Sequence, residues 1–106
     1  MARYLIQGSY TAEGIRGVLK EGGSGRRAAV EAALKALGGK LESFYFAFGG
    51  SDVYVTVECP DNITAATLSM GVSATGTVAT QTIVLLTPEE IDQAAKKTMA
   101  FRAAGQ

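Results

Sequence analysis

Hydrophobic and polar residues alternate with a period of two in four stretches of the chain, and this alternation predicts four β-strands. The strands are expected at residues 3–10, 40–48, 53–58 and 78–86. The second and third are separated only by the turn residues Gly-Gly-Ser-Asp at 49–52. These two strands are therefore expected to form a hairpin.

Between the first two strands the apolar residues follow helical spacing instead. A short helix is expected at residues 12–20, with Thr11 offering a side-chain oxygen as its N-cap. The glycine-rich residues 21–25 are expected to break it, because glycine is a poor helix former. An alanine-rich helix then covers residues 26–37 and ends at the glycine pair 38–39.

A further helix is expected to connect the third and fourth strands. It starts at Asp61 or Asn62, either of which can cap a helix, and it places Leu68 and Val72 on one face. Residues 68–72 also alternate as a strand does. The helix is favoured because a crossover is required between these two strands.

The chain is expected to end in a helix that begins at TPEE (87–90) and runs to about Arg102. This segment combines a capping-box pattern with proline in the first helical turn. The order strand, helix, strand thus occurs twice. It predicts an α+β, ferredoxin-like βαββαβ fold with a four-stranded antiparallel sheet, helices on one face and an extra C-terminal helix, in a single domain over residues 1–106.

One face of this sheet is expected to lack a cover within the chain. The aromatic row at 44–48 and the valine row at 53–57 cannot both lie under the helices unless the register or the strand curvature changes. One apolar row is then expected to face outward. A second copy of the chain is its expected partner.

Charge and composition exclude several classes of protein. Ten Lys and Arg residues balance ten Asp and Glu residues, so no strong positive field attracts nucleic acid. Without histidine and with a single cysteine, zinc enzymes and Ser-His-Asp triads are excluded, and no cofactor or metal is implied. No apolar stretch is long enough for a membrane span and no signal peptide is recognisable, so we expect a cytoplasmic protein with no membrane partner.

Several segments together carry a family resemblance. They are LGGKLE (37–42), KLESFYFAFG (40–49), GSDVYV (50–55) and LTPEE (86–90). Through them the chain resembles the GYD-domain family over nearly its whole length, although Ser51 stands where the family has the tyrosine of its Gly-Tyr-Asp tripeptide. The resemblance implies a dimeric α/β-barrel type of protein, in which two ferredoxin-like sheets pack face to face. It implies no established activity.

Two residues are candidates for catalysis. Asp52 at the hairpin either stabilises its own turn, pairs with Arg26 or Arg27, or acts as a proton acceptor in a cleft between sheet and helices. Tyr45 is the second candidate, because Ser43 and Tyr45 belong to a row of polar and small residues that can line a pocket.

Other residues are candidates for ligand binding. Tyr10, at the end of the first strand, is expected to converge with Tyr45 on one ligand. Lys20, Arg26 and Arg27 flank the glycine-rich stretch that enters a helix N-terminus, an arrangement that favours a phosphate or carboxylate. A known nucleotide-binding loop is not present, and a solvated basic face is the alternative.

Three functions remain open on these grounds. The first, ranked highest, is a homo-oligomeric protein that binds a small anionic or aromatic molecule in a pocket between sheet and helices. The second is a cofactor-independent enzyme for proton transfer, isomerisation or monooxygenation, with Asp52 as base and Tyr10, Tyr45 or Arg27 as orienting groups. The third is a structural or regulatory oligomer in which Arg26 and Arg27 pair with acidic residues of a neighbouring copy: Glu31, Glu42 or Glu58.

Overall fold

Seven elements follow one another in the computed structural model, which describes residues 1–106. They are β1 (Ala2–Tyr10), α1 (Ala12–Ala36), β2 (Lys40–Phe46), β3 (Val53–Cys59), α2 (Asn62–Ser73), β4 (Val78–Leu85) and α3 (Pro88–Lys96). The strands form one antiparallel sheet in the order β2-β3-β1-β4. This arrangement confirms the predicted ferredoxin-like fold with an added C-terminal helix.

The core lies between the sheet and the helices α1 and α2. Leu34 of α1 and Leu68 of α2 pack against the side of the sheet formed by alternate residues of β1 and β3. These strand residues are all buried: Tyr4, Ile6, Val53, Val55, Val57 and Cys59. The alternation that predicted the strands therefore marks the face that the helices cover.

Phe44 and Phe46 of the aromatic row and the valines of β3 face the helices, so the prediction that one of the two rows faces outward is wrong. Phe48 lies beyond the end of β2 and is fully exposed. The antiparallel register places Phe44 opposite Val55 and Phe46 opposite Val53, and directly opposed residues share a face. The loop at residues 47–52 sets this register, and the β-bulge after Leu41, farther along β2, brings Leu41 to the same side, opposite Val57.

The other face of the sheet, called the open face below, is mixed in character. Across the strand order its rows are Tyr45–Tyr54–Gln7–Gln81, Ser43–Thr56–Leu5–Ile83 and Lys40–Glu58–Arg3–Leu85. In the last row Arg3 binds Glu58 at 3.2 Å and also Glu42, beside the bulge, at 2.6 Å. Apolar side chains are therefore concentrated near β1 and β4 and near the tyrosine pair.

Helix α1 consists of two helical segments joined by a kink at Gly22, so the predicted break in the glycine-rich stretch is present but is confined to one residue. Only Gly22 leaves helical geometry, with φ 80° and ψ 168°, a region that essentially only glycine adopts. Gly23 resumes the helix and lies against Phe46, where a Cβ would come within 2.9 Å of the ring. The glycine-rich segment is therefore a kink in a helix that tertiary contact maintains, and not a loop.

The start of α1 is fixed to the loop before β4. The Thr11 N–H donates to the Thr77 carbonyl oxygen at 2.9 Å, and the Thr11 hydroxyl caps the helix by accepting from the Gly14 N–H at 3.2 Å, as predicted. Gly14 is pressed so closely on this loop that a Cβ would lie 2.0 Å from the Thr77 oxygen. The two strand-helix-strand units are thereby joined at this end of the sheet.

The caps of α2 and α3 follow the sequence prediction. Asp61 caps α2 by accepting from the Thr64 N–H at 2.8 Å, and these hydrogen bonds lower the pKa of Asp61. Thr87 and Glu90 form the predicted capping box of α3. Helix α3 ends at Lys96 and not near Arg102, and it has no buried residue.

No helix of the protein combines the length and apolarity that crossing a membrane requires.

Candidate functional site

A cleft opens between the sheet and the two helices that cover it. Its inner part is a cavity of about 50 Å³ over the end of β1, where Gly8 has no side chain to fill the space. A Cβ at Gly8 would lie 2.9 Å from Val53 and 3.0 Å from Val78. The remaining walls are mostly apolar: Ile6, Tyr10, Arg26, Val30, Phe44, Leu68, Ser69, Val72 and Thr80.

The cleft continues outward as a groove of about 600 Å³ between α1 and α2. Small residues on both helices, Ala29 and Ala33 of α1 and Gly71 of α2, line this groove. Its inner end shares four residues with the cavity: Arg26, Val30, Leu68 and Val72. A groove of this size is within the range of small-molecule sites.

Arg26 is the only charged residue that lines either part of the cleft. Its Nη1 lies 2.8 Å from Glu21 Oε1, one turn back across the Gly22 kink, and the side chains of both residues remain partly exposed. The hydrogen bond and charge of Glu21 raise the pKa of Arg26. The Arg26 guanidinium therefore places a positive charge at the junction of cavity and groove, and the Glu21 carboxylate of the same helix holds it in position.

Tyr10 lies beside this guanidinium at the end of β1. Its ring stacks on Phe46 with centroids 6.4 Å apart. Burial raises the pKa of Tyr10, while the nearby charge of Arg26 opposes that shift. The Tyr10 hydroxyl is therefore protonated at neutral pH and available to donate a hydrogen bond next to Arg26.

Asp52 fixes the hairpin to the end of β1. Its Oδ2 accepts from the Tyr10 N–H at 2.8 Å, its own N–H donates to the Gly8 oxygen at 2.7 Å, and its carbonyl accepts from the Ala47 N–H at 2.8 Å. The carboxylate does not line the cleft. The Asp52 side chain therefore bonds the end of β1 and not, as the turn-stabilising alternative had it, the backbone of its own turn.

The other predicted site residues lie elsewhere. Tyr45 and Ser43 are on the open face of the sheet, opposite Tyr54 and Thr56, and the Ser43 hydroxyl is hydrogen-bonded to that of Thr56. The structure does not bring Tyr45 together with Tyr10, which lies on the helix side. The reason is strand parity, which places alternate residues of a strand on opposite faces.

Lys20 and Arg27 are exposed on α1 and contribute nothing to the cleft. Of the three basic residues that flank the glycines, only Arg26 reaches it. The acidic residues Glu42 and Glu58, considered above as partners of Arg26 and Arg27 in a neighbouring copy, bind Arg3 of the same chain.

Sequence reasoning missed the apolar walls, because Val30, Leu68 and Val72 read as ordinary core positions. The available signal was the run of small residues on the outer part of α1 together with Gly71 on α2, since two helices lined by small side chains leave space between them.

No group of three or more acidic or cysteine side chains is close enough together to hold a metal ion.

Comparison with known proteins identifies the family. No curated protein and no solved structure matches the chain. The family model described as GYD domain matches residues 4–95, which takes in the sheet, the cleft and nearly all of α3. The chain belongs to the GYD-domain family.

Proposed function

We propose that this protein is a homo-oligomer that binds a small apolar or aromatic anion in the cleft between the sheet and the helices. The observation that carries the proposal is the placement of one cation, Arg26, in a cleft whose other walls are uncharged. Apolar walls with a few converging polar groups are typical of small-molecule sites.

The chemistry of the two polar groups selects the ligand. A guanidinium binds a carboxylate through two parallel hydrogen bonds, and the Tyr10 hydroxyl beside it provides a further donor. The aromatic or aliphatic part of such a ligand would occupy the groove between α1 and α2, against Val30 and Val72. Glu21 forms an ion pair with the Arg26 guanidinium, so a ligand carboxylate has to compete with Glu21 for it.

The enzyme alternative has no comparable observation in its favour. Its proposed base, Asp52, accepts a hydrogen bond from the Tyr10 N–H and stands outside the cleft lining. Its second candidate, Tyr45, is exposed on the open face.

The homo-oligomer is supported by the amount of surface that the chain leaves exposed. A compact monomer of 11.0 kDa exposes about 5,600 Å², whereas this chain exposes 7302 Å². The excess is about 1,700 Å² per chain, or about 3,400 Å² for two chains. Permanent homodimers bury areas of this size.

Phenylacetate and phenylacetamide provide a matched test, because they differ in charge and hardly in shape. In a calorimetric or NMR titration we expect the acid to bind about 10- to 100-fold more tightly than the amide, the range for a hydrogen bond to a charged group. The R26Q variant should lose this preference. E21Q should strengthen binding of the acid, because it removes the competing carboxylate.

R27Q is the control variant, since it removes a positive charge from the same helix outside the cleft. It should retain the preference for the acid. Equal binding of acid and amide by the wild-type chain, no binding of either at millimolar concentration, or an unchanged preference in folded R26Q would each overturn the proposed ligand class.

A further inference from the structure

We infer that residues 86–106, called the C-terminal arm below, pack on the open face of the sheet of a second copy, against Leu5, Ile83 and Leu85. This inference rests on the proposed homo-oligomer and assigns the surfaces that form it. The first observation is the arm itself. None of its residues is buried, and α3 makes no extensive contact with another element of its own chain.

The arm carries an apolar stripe without a partner. Ile91 is 50% exposed, and Ala94 and Ala95 follow it at helical spacing on the same side of α3. Beyond the helix, Met99 and Phe101 are 79% and 78% exposed. Apolar side chains this exposed and this close together mark an interaction surface.

Helix α3 also needs an external partner in order to persist. It has nine residues, and isolated helices shorter than about 12 residues are marginal in water. The Thr87–Glu90 capping box satisfies its first N–H groups, yet capping contributes only on the order of 1 kcal/mol. Burial of the Ile91 stripe against a protein surface would supply the remaining free energy that a helix of this length needs to be stable.

The open face offers a matching surface at the strand from which the arm departs. Leu5 and Ile83 lie directly opposite each other on β1 and β4, and Leu85 follows two residues after Ile83. Ile83 is 42% exposed although it lies within a strand. The neighbouring row is polar at this point, with Gln7 opposite Gln81, and across the sheet Leu5 is followed by Thr56 and Ser43, so this apolar area lies on β1 and β4.

The shape of the chain points to a second copy as the occupant. The radius of gyration is 16.9 Å, against about 13 Å for a compact chain of this length, and the longest dimension is 56 Å. The excess surface of about 1,700 Å² per chain is the share that each subunit of a permanent homodimer buries. Each chain has one arm and one open face. In a two-fold dimer each arm can therefore pack on the open face of the other copy, and both surfaces are covered.

Cross-linking between two different variants tests the inference on the full-length chain. A95C places a thiol on the arm stripe and Q81C places one on the open face beside Ile83, while the native Cys59 is fully buried. The two variants are co-expressed with different tags and treated with a short bismaleimide. We expect a covalent heterodimer carrying both tags. A95C paired with R27C, a position on the exposed side of α1, is the control and should not cross-link.

The outcomes separate the arm from the oligomer. A dimer by native mass spectrometry that gives no A95C–Q81C cross-link would overturn the arm inference and leave the homo-oligomer intact. A monomer would overturn both. A doubly substituted A95C/Q81C chain that cross-links only within itself would show that the arm folds back on its own sheet, which also overturns the inference.

I91E should weaken the dimer about tenfold or more, as expected for loss of one buried isoleucine.

Discussion

At the end of β1, Asp52 connects three backbone segments through its own hydrogen bonds. Its side chain accepts from the Tyr10 N–H, and its backbone bonds Gly8 and Ala47. Tyr10 in turn stands beside Arg26 in the cleft. Asp52 therefore acts on the candidate site indirectly, by fixing the strand end from which Tyr10 projects.

Substitution of Asp52 separates this positioning role from catalysis. D52A removes the acceptor of a half-buried N–H and should lower the free energy of unfolding by about 1 to 3 kcal/mol. D52N keeps a side-chain oxygen in the same place and should lose less than half of that. Urea denaturation monitored by circular dichroism measures both. Equal losses in the two variants would contradict an acceptor role for the side-chain oxygen.

The sequence identifies residue types suited to a site, but it does not say which of them face the cleft. Arg26 was selected together with Lys20 and Arg27 because all three flank glycines, a pattern that does not say which of them faces the cleft. Ser43 and Tyr45 were assigned to a pocket by alternation alone. The face on which they lie depends on the register of β2 against β3, which the alternation within β2 does not specify.

The elements themselves follow the sequence closely where burial on one face dictates the pattern. All four strands lie where they were predicted, although β2 ends at Phe46 and not at residue 48, and the caps at Thr11, Asp61 and Thr87 are as predicted. Helical geometry in α1 extends through most of the predicted break, because the cost of its glycines, about 1 kcal/mol each, is offset by packing that only small residues permit. Gly14 against Thr77 and Gly23 against Phe46 are the contacts concerned.

The glycines of α1 provide a matched pair of substitutions within one helix. At Gly14 a methyl group would meet the Thr77 carbonyl oxygen at 2.0 Å, whereas at Gly17 nothing lies within 4 Å. G14A should therefore separate α1 from the loop before β4 and lower the unfolding free energy by about 2 kcal/mol or more. G17A should raise it by about 0.5 to 1 kcal/mol, because alanine loses less entropy in a helix.

Thermal denaturation of the two variants under identical conditions is the measurement. Opposite shifts of the melting temperature are expected, downward for G14A and upward for G17A. Stabilisation by both would mean that Gly14 does not contact the loop in solution, and the junction between the two halves of the fold would then need another explanation.

For the whole molecule, two buried groups, Tyr4 and Cys59, and the partly buried Tyr10 make the stability sensitive to alkaline pH. Burial raises the pKa of Tyr4, Tyr10 and Cys59. The unfolded chain releases these protons near its ordinary values, 9.0 for the thiol and 10.0 for the phenols, while the folded chain still holds them. Stability is therefore full below about pH 9 and falls as the pH rises further.

Denaturation midpoints measured between about pH 8 and 11 should show this decline. Y4F removes one of the three groups and should make the decline shallower. At neutral pH the same variant differs from the wild type only through the lost hydrogen bond from Tyr4 to Asn62. A pH dependence as steep in Y4F as in the wild type would exclude Tyr4 as a source.

The central position of β1 in the sheet has a consequence for how the protein is made. Strand β1 is synthesised before both of the strands that flank it, and it pairs Ala2 with Cys59 of β3 and Arg3 with Leu85 of β4. At ordinary synthesis rates β1 waits roughly 2 to 10 s for β3 and roughly 4 to 15 s for β4, so one of its edges stays unpaired for the whole of the longer interval. We therefore expect the nascent chain to expose an unpaired strand edge until β4 has been made, and slow codons before residue 85 would prolong that interval.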